Sequence, residues 1–331
     1  VNTTPFLILT NKQNNMSKTV RWLNKTEAEF LGFIPKENDG KRNQNRYQVE
    51  DKDWQFVLSI RKKNKPKNKE KMQDNLTAPS FKDQEGMHIL LGCNHVPFED
   101  VKLHKGIYRL IKNHKSLVKG FHLMGDFMDI NSLSSHDKGK FTAIKGLTLD
   151  SEYSSGNKTL DFFDEVLSED VWKTYLYGNH EDRWNRWMSN MDNAKTPLKS
   201  PKEALKLIER GYQVKTNWSQ DFFTLGKDFD IFHGIYFSIH SAKAHIDKLR
   251  RSCAYVHTHR QQFYREGDLM AYNLGTCADI DSKAFNYATR PMKASWGKGF
   301  AVNMIDKNGN SNVTLITPDK NSNFWFGGIQ Y

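Results

Sequence analysis

A layered α/β domain, preceded by a small helical module, is the fold this sequence predicts. Two observations carry that expectation. From Met87 to Arg251 short apolar runs alternate with helical patterns, and beyond Arg251 short strand-like runs follow one another up to Ile316. Polar motifs stand directly behind several of those apolar runs, which is where an α/β sheet presents its ligands.

Taken in order, residues 1–16 read as a disordered leader, with Met16 a candidate start; no basic n-region followed by a long apolar h-region marks a secretory signal. Residues 17–60 read as the helical module. Glu27 to Phe33 and Val49 to Ile60 have helical spacing, with Trp54, Val57 and Leu58 as a stripe, and Ile34 to Gln48 between them is polar and turn-rich. Residues 61–86 read as a basic linker. Seven of the eleven residues from Arg61 to Lys71 are basic and one is acidic, which suits a solvated linker or a phosphate-contacting tail.

The main domain is expected over 87–318, with 319–331 as a tail. Met87–Gly92 reads as a buried strand and Val101–Asn113 as a helix with Leu103, Ile107, Leu110 and Ile111 on one side. Strands follow at Phe121–Gly125 and Lys173–Gly178, with helices at Leu160–Leu167 and Glu181–Met188. Pro201, at a favoured first-turn position, opens a helix to Arg210. Phe229–His233 reads as a strand and Ile239–Arg251 as a helix. Strands are expected at Ala254–His257, Leu269–Leu274, Phe300–Ile305 and Val313–Ile316.

The composition of these 331 residues is polar, with 37% hydrophobic residues and a mean hydropathy of −0.73, yet 21 Phe, 12 Tyr and 8 Trp supply a core. No apolar stretch is long enough to span a membrane. Three cysteines form no paired framework, which fits a reducing, cytoplasmic compartment. The formal charge is +11, and residues 1–86 hold 17 of the 49 Lys/Arg but 11 of the 38 Asp/Glu, so about half of the surplus lies in the first quarter. Such a chain concentrates polyanions, or is simply a soluble basic protein.

Five motifs carry the chemistry: Gly92-Cys93-Asn94-His95, Gly125-Asp126-Phe127-Met128-Asp129, Gly178-Asn179-His180-Glu181, His233-Gly234 and His257-Thr258-His259. Each is weak alone. As an ordered set of O, N and S donors they describe a two-metal hydrolytic centre, which activates water and clamps both oxygens of a phosphoryl transfer.

In this order the motifs resemble those of the calcineurin-like metallophosphoesterase superfamily, Asp-x-His, Gly-Asp-x-x-Asp, Gly-Asn-His-Asp/Glu, His and Gly-His-x-His, over Met87 to Ile316. The resemblance implies a four-layer sandwich of two mixed sheets flanked by helices, with two divalent metals at the carboxyl ends of central strands. Asp126 would bridge them. His95 and His259, with position 93, would complete one site; Asn179, His233 and His257 would complete the other. His180 would protonate the leaving oxygen, Asp129 would orient it, and a hydroxide held between the metals would attack.

Two positions depart from that pattern. Cys93 replaces an aspartate; it is either a softer ligand, favouring zinc or iron over the manganese otherwise expected, or a buried apolar cysteine. Val256 replaces a glycine and prolongs the strand into His257. His240 and His245 are rivals to His233, but fall in the expected helix. Glu181 reads as a residue behind the ligands or at a helix start. Asn131 and His136 read as substrate-reaching or loop residues, and Arg183 and Arg260 as holding a phosphate oxygen or as surface.

The expected activity is therefore phosphoester hydrolysis, with nucleic acid as the leading substrate given the charge and Trp184 and Trp187, which would stack on bases or fill core. A phosphomonoesterase and a non-catalytic scaffold with a degraded site are the alternatives. The compact basic design suits a bacterial cell or a phage-infected host.

Overall fold

In Gly86–Leu91 every residue after the glycine is buried, as in a strand covered on both faces. The computed structural model describes residues 18–24 and 44–50 by their backbone, and 77–134, 146–190, 193 and 198–331 in full. The expected leader, the Glu27–Phe33 helix, the Arg61–Lys71 run and His136 lie outside the described residues.

The chain divides into two units, Val1–Met72 and Gln73–Tyr331. In the first, strands β1 (Lys18–Asn24) and β2 (Gln44–Glu50) pair antiparallel, with Lys18 opposite Glu50 and Asn24 opposite Gln44. This corrects the expected polar turn up to Gln48 and the helix start at Val49. Val20 and Trp22, and Tyr47 and Val49, recur with period two, and β-branched and aromatic residues at that spacing favour strand over helix.

The second unit opens with a 3₁₀ turn at Phe81–Gln84, ahead of the boundary expected at 87. Then follow β3 (Gly86–Leu91), α1 (Val101–Asn113), β4 (Val118–Met124), α2 (Leu149–Val166), β5 (Trp172–Leu176), α3 (Asp182–Met188), α4 (Pro201–Ala204), β6 (Tyr212–Lys215), β7 (Phe223–Leu225), β8 (Phe229–Ile231), α5 (Ser241–Leu249), β9 (Ser252–Tyr255), β10 (Gln261–Glu266), β11 (Leu269–Leu274), α6 (Arg290–Ala294), β12 (Phe300–Ile305) and β13 (Ser311–Ile316). The Asp100 side chain caps α1 by accepting from the Lys102 and Leu103 amides. A Thr148/Ser151 capping box starts α2 eleven residues before the expected Leu160, in a polar stretch that hides its period. The helix expected to reach Arg210 ends at Ala204, and Lys206 turns into the left-handed region at φ 53°.

One sheet has the order β13-β12-β3-β4-β5-β6 and the other β10-β11-β9-β8-β7. β3 to β6 run parallel and β12 pairs antiparallel with β3 and β13; β8, β9 and β11 run parallel, with antiparallel edges β7 and β10. Side-chain alternation then builds the layers. Ile89, Leu91, Phe121 and Leu123 meet Leu103 and Ile107 of α1 and Leu160 and Phe163 of α2 on one face. Leu90, Met124 and Leu176 face the second sheet, against Leu225, Ile231, Ala254 and Val256. Beyond it, Cys253, Tyr255 and Phe232 pack on Ala242 and Ile246 of α5. The order is helix, sheet, sheet, helix, and each fully buried large apolar side chain contributes about 1.5–3 kcal/mol. No helix among the described residues is long and apolar enough to cross a membrane.

A polar line interrupts the apolar layer between the sheets. His88 Nε2 lies 2.7 Å from the Gln84 carbonyl, His88 Nδ1 2.9 Å from His122 Nε2, and His122 Nδ1 2.9 Å from Thr174 Oγ1. Burial pushes His88 down to about 4 and His122 well below the usual histidine range. A group depressed in the folded state gives stability present in full above its unfolded value and lost as the pH falls toward the folded one. Urea titrations are therefore expected to show stability falling from pH 6.5 toward 4, with a shallower fall in His122→Gln. An unchanged slope in that variant would show that His122 is not held neutral.

Candidate metal centre

The motif loops leave the carboxyl ends of β3, β4 and β5 in one sheet and β8 and β9 in the other. Their backbones are bent hard. Cys93, His95, Asp126, His257 and His259 all adopt left-handed conformations, with φ of 48°, 51°, 50°, 74° and 58°. Such conformations at non-glycine residues cost about 1–3 kcal/mol each and persist where surrounding bonds over-determine them. Here the Cys93, His95 and Val96 amides donate to the carbonyls of Gly125, Asp126 and Phe127, locking the first two loops together. Gly178 has no room for a side chain, since a Cβ there would lie 2.1 Å from Asp126 Oδ1.

Asn179, His233 and His257 converge on one side. His233 Nδ1 donates to the Met124 carbonyl at 3.1 Å, so its Nε2 carries the lone pair. That Nε2 stands 3.0 Å from Asn179 Oδ1, 3.1 Å from His257 Nδ1 and 3.4 Å from Asp126 Oδ2. Acceptors facing acceptors in a buried site call for a cation or a proton. Accordingly, although burial disfavours the charge, Asp126 raises His233 above the ordinary histidine value. His257 is pushed down to about 4 by burial and by His233.

Cys93, His95 and His259 converge on the other side, their donor atoms all within 4.8 Å of one another. His95 Nε2 lies 2.9 Å from His259 Nε2 and 3.9 Å from Asp126 Oδ2, so Asp126 stands between the two sets. Burial alone would raise the Asp126 carboxyl, but His233, His180 and His95 outweigh it and hold it well below the carboxylate range. Cys93 Sγ accepts from the His257 amide at 3.2 Å and is also within 4.8 Å of the Asp126 and His233 donors. Burial and the Asp126 charge push its thiol well up. A bound cation reverses that, because thiolate is the ligating form.

Asp129 serves two imidazoles. Its Oδ1 lies 2.9 Å from His95 Nδ1 and 2.9 Å from His180 Nδ1, and its carbonyl also accepts from His180 at 2.9 Å. Both Nε2 atoms are thereby aimed and stripped of the tautomeric choice. Arg183 Nη1 donates to the Asp129 carbonyl at 2.8 Å, leaving Nη2 3.4 Å from His180 Nε2. Arg186, which the sequence did not single out, donates to the Asn179 carbonyl.

Glu181 is fully buried and points away from the donor sets. Its two oxygens accept from the Asp126, Met128 and Gly178 amides and from the Tyr175 hydroxyl, at 2.8–3.0 Å. Arg260 is tied to Ser295 Oγ and the Phe237 carbonyl. His245 is occupied by the Ser241 carbonyl and the Ile235 amide, and His240 sits at the start of α5. Asn131 is buried, its amide bound to Glu152. Trp184 and Trp187 are half-buried on α3. Four aromatics not singled out from the sequence flank the histidines, Trp218, Phe237, Phe285 and Trp296, and Tyr287 stands beyond Trp296.

The motifs resemble, in order and spacing, those of the calcineurin-like metallophosphoesterase superfamily, and the two-sheet layered fold is the one that resemblance implies. No family model and no curated protein matches the chain. Among solved structures, it is similar to a single-site variant of Vps29 from Entamoeba histolytica, at 12% identity and TM-score 0.38 over 71% of this chain and 94% of that one. A protein described as a novel archaeal phosphodiesterase shares 17% identity at TM-score 0.33, over 69% of this chain and 99% of that one. A predicted phosphoesterase from Streptococcus pneumoniae shares 13% at 0.31, over 75% and 96%.

The Val256 departure has a counterpart in the first motif. A Cβ on Gly92 would lie 2.7 Å from Val256 Cγ1, so the room absent at 256 is made at 92. Gly92→Ala should cost about 1–3 kcal/mol by overpacking. Combined with Val256→Ala, the loss in urea unfolding should be less than the sum of the two single losses, since contacting residues couple. Strict additivity would show that the two positions do not compensate.

Proposed function

We propose that this chain is a metal-dependent phosphoester hydrolase acting on nucleic-acid phosphodiesters. The supporting observation is the pairing of two donor sets, one buried and one partly buried, with Asp126 Oδ2 between them, beside an imidazole fixed by a carboxylate. Cys93, His95 and His259 would hold one divalent cation and Asn179, His233 and His257 the other, Asp126 facing both. Manganese suits the oxygen and nitrogen donors, and zinc or iron the thiolate. When bound, such ions supply a Lewis acid and an activated water at neutral pH.

The chain's own residues do the rest. Asp129 holds His180 by Nδ1 and so aims Nε2, from which a proton can pass to the leaving oxygen. Arg183 Nη2, beside that nitrogen, offers a positive charge to a phosphate oxygen placed there. The +11 surplus favours a polyanionic substrate. The three cysteines are unpaired and buried, which supports a reducing cytoplasm. Cys93 is the one feature favouring the rival reading, a protein-binding scaffold that holds no pair of metals.

With manganese, His180→Ala is expected to cut hydrolysis of bis-p-nitrophenyl phosphate by about 10²–10⁴-fold while metal content stays at the wild-type level. An equal rate in the variant would remove His180 from the chemistry, and a wild type that takes up no metal would favour the scaffold. Cys93→Asp should raise the rate supported by manganese relative to that supported by zinc. An unmoved ratio would mean that Cys93 is not a ligand.

A further inference from the structure

Aromatic rings stand on both sides of the centre, carried by loops far apart in sequence. On the His257 side, Trp218 lies 5.9 Å from that imidazole and Phe237 6.4 Å, between ring centres. On the His259 side, Trp296 lies 4.6 Å away, with Tyr287 a further 6.5 Å beyond Trp296. Phe237 is 73% exposed and Tyr287 58%, so neither is explained as core. Trp218 also lines a cavity of about 200 Å³, whose wall joins Phe222, Phe232 and Ile235 to Asp221, Asp230 and Arg251.

The two shoulders are joined. Arg260 follows His259 directly, and its guanidinium binds the Phe237 carbonyl from one shoulder and Ser295 Oγ, next to Trp296, from the other. The stretch Ser282–Gly299, which carries Tyr287 and Trp296, contains Lys283, Arg290 and Lys293 and no acidic residue, beside Lys298, which is paired with Asp100. Aromatic faces interleaved with positive charge are the combination that holds unpaired bases and their backbone, because every base has a face to stack and every link a phosphate to neutralise. In a duplex those faces are already covered by neighbouring pairs.

Resting on the phosphodiesterase reading above, we propose that the substrate is single-stranded nucleic acid. Phe237 and Tyr287, with Trp218 and Trp296 alongside, stack on unpaired bases on either side of the phosphate at the centre. Arg260 is a positioning residue that sets the two shoulders.

The test uses the full chain carrying His180→Ala, so that substrate is bound without being cut. Affinity for a fluorescein-labelled oligothymidylate is measured by anisotropy at fixed salt, with Phe237→Ala or Tyr287→Ala added. Each is expected to weaken binding roughly 5- to 100-fold, the span of base–aromatic stacking by alanine substitution. Phe237→Tyr and Tyr287→Phe should restore it. Affinity for an abasic oligonucleotide, or for a duplex, should be weak and indifferent to the same changes. Unchanged oligothymidylate affinity in both alanine variants would overturn the proposal. So would an equal loss on the abasic strand, or tighter binding of the duplex. The wild-type rate on bis-p-nitrophenyl phosphate separates the two readings. If that rate is absent, the hydrolase reading itself has failed; if it is present while affinity does not move, only the stacking proposal has.

Discussion

The carboxylate of Glu181 is the acceptor on which the placement of Asp126 depends. It gathers the amides of Asp126 and Met128 from the loop after β4 and that of Gly178 from the loop after β5, with Tyr175 donating from beneath. Burial and the Asp126 charge both push Glu181 upward, while its donors pull the other way. Removing the carboxylate would strand three buried N–H groups, at about 1–3 kcal/mol each. A side chain that touches no donor set thus holds the loop whose aspartate stands between both. Asp126 itself adopts a left-handed backbone, a strained conformation that its amide bond to Glu181 helps to hold.

Charge balance explains the rest of the arrangement. Two carboxylates, Asp126 and Asp129, sit among buried imidazoles and are both held well below their usual range despite burial. A Cys93 thiolate would add a third negative charge against the four positive charges of two divalent ions. Replacing an aspartate with cysteine therefore keeps the sign of the site and changes its softness. A Cys93 ligand would also tie metal uptake to loss of the thiol proton, so that affinity would rise with pH.

Much of this was legible in the sequence, for identifiable reasons. The Val101–Asn113 helix was read to the residue from its apolar stripe of Leu103, Ile107, Leu110 and Ile111, and Leu269–Leu274 and Phe300–Ile305 because they are short apolar runs. The motifs named the side chains that stand together, since each follows a strand. Three things were not legible. The polar first half of α2 masks its own period, and the β1–β2 ribbon lies in a stretch read as a helical module with a polar turn up to Gln48. The aromatic shoulders share no spacing, because Trp218, Phe237, Tyr287 and Trp296 come from separate loops that only tertiary structure joins. Arg260 illustrates the same limit. Its position after His259 left a phosphate contact and a surface role open, and its hydrogen bonds to the Phe237 carbonyl and Ser295 Oγ come from loops that the sequence does not join.

The most direct test is anomalous diffraction from crystals grown with manganese and, separately, zinc. Two peaks about 3.5–4 Å apart are expected, one among Cys93, His95 and His259 and the other among Asn179, His233 and His257, with Asp126 reaching both. A single peak, or none with the metal in excess, would contradict a two-metal centre.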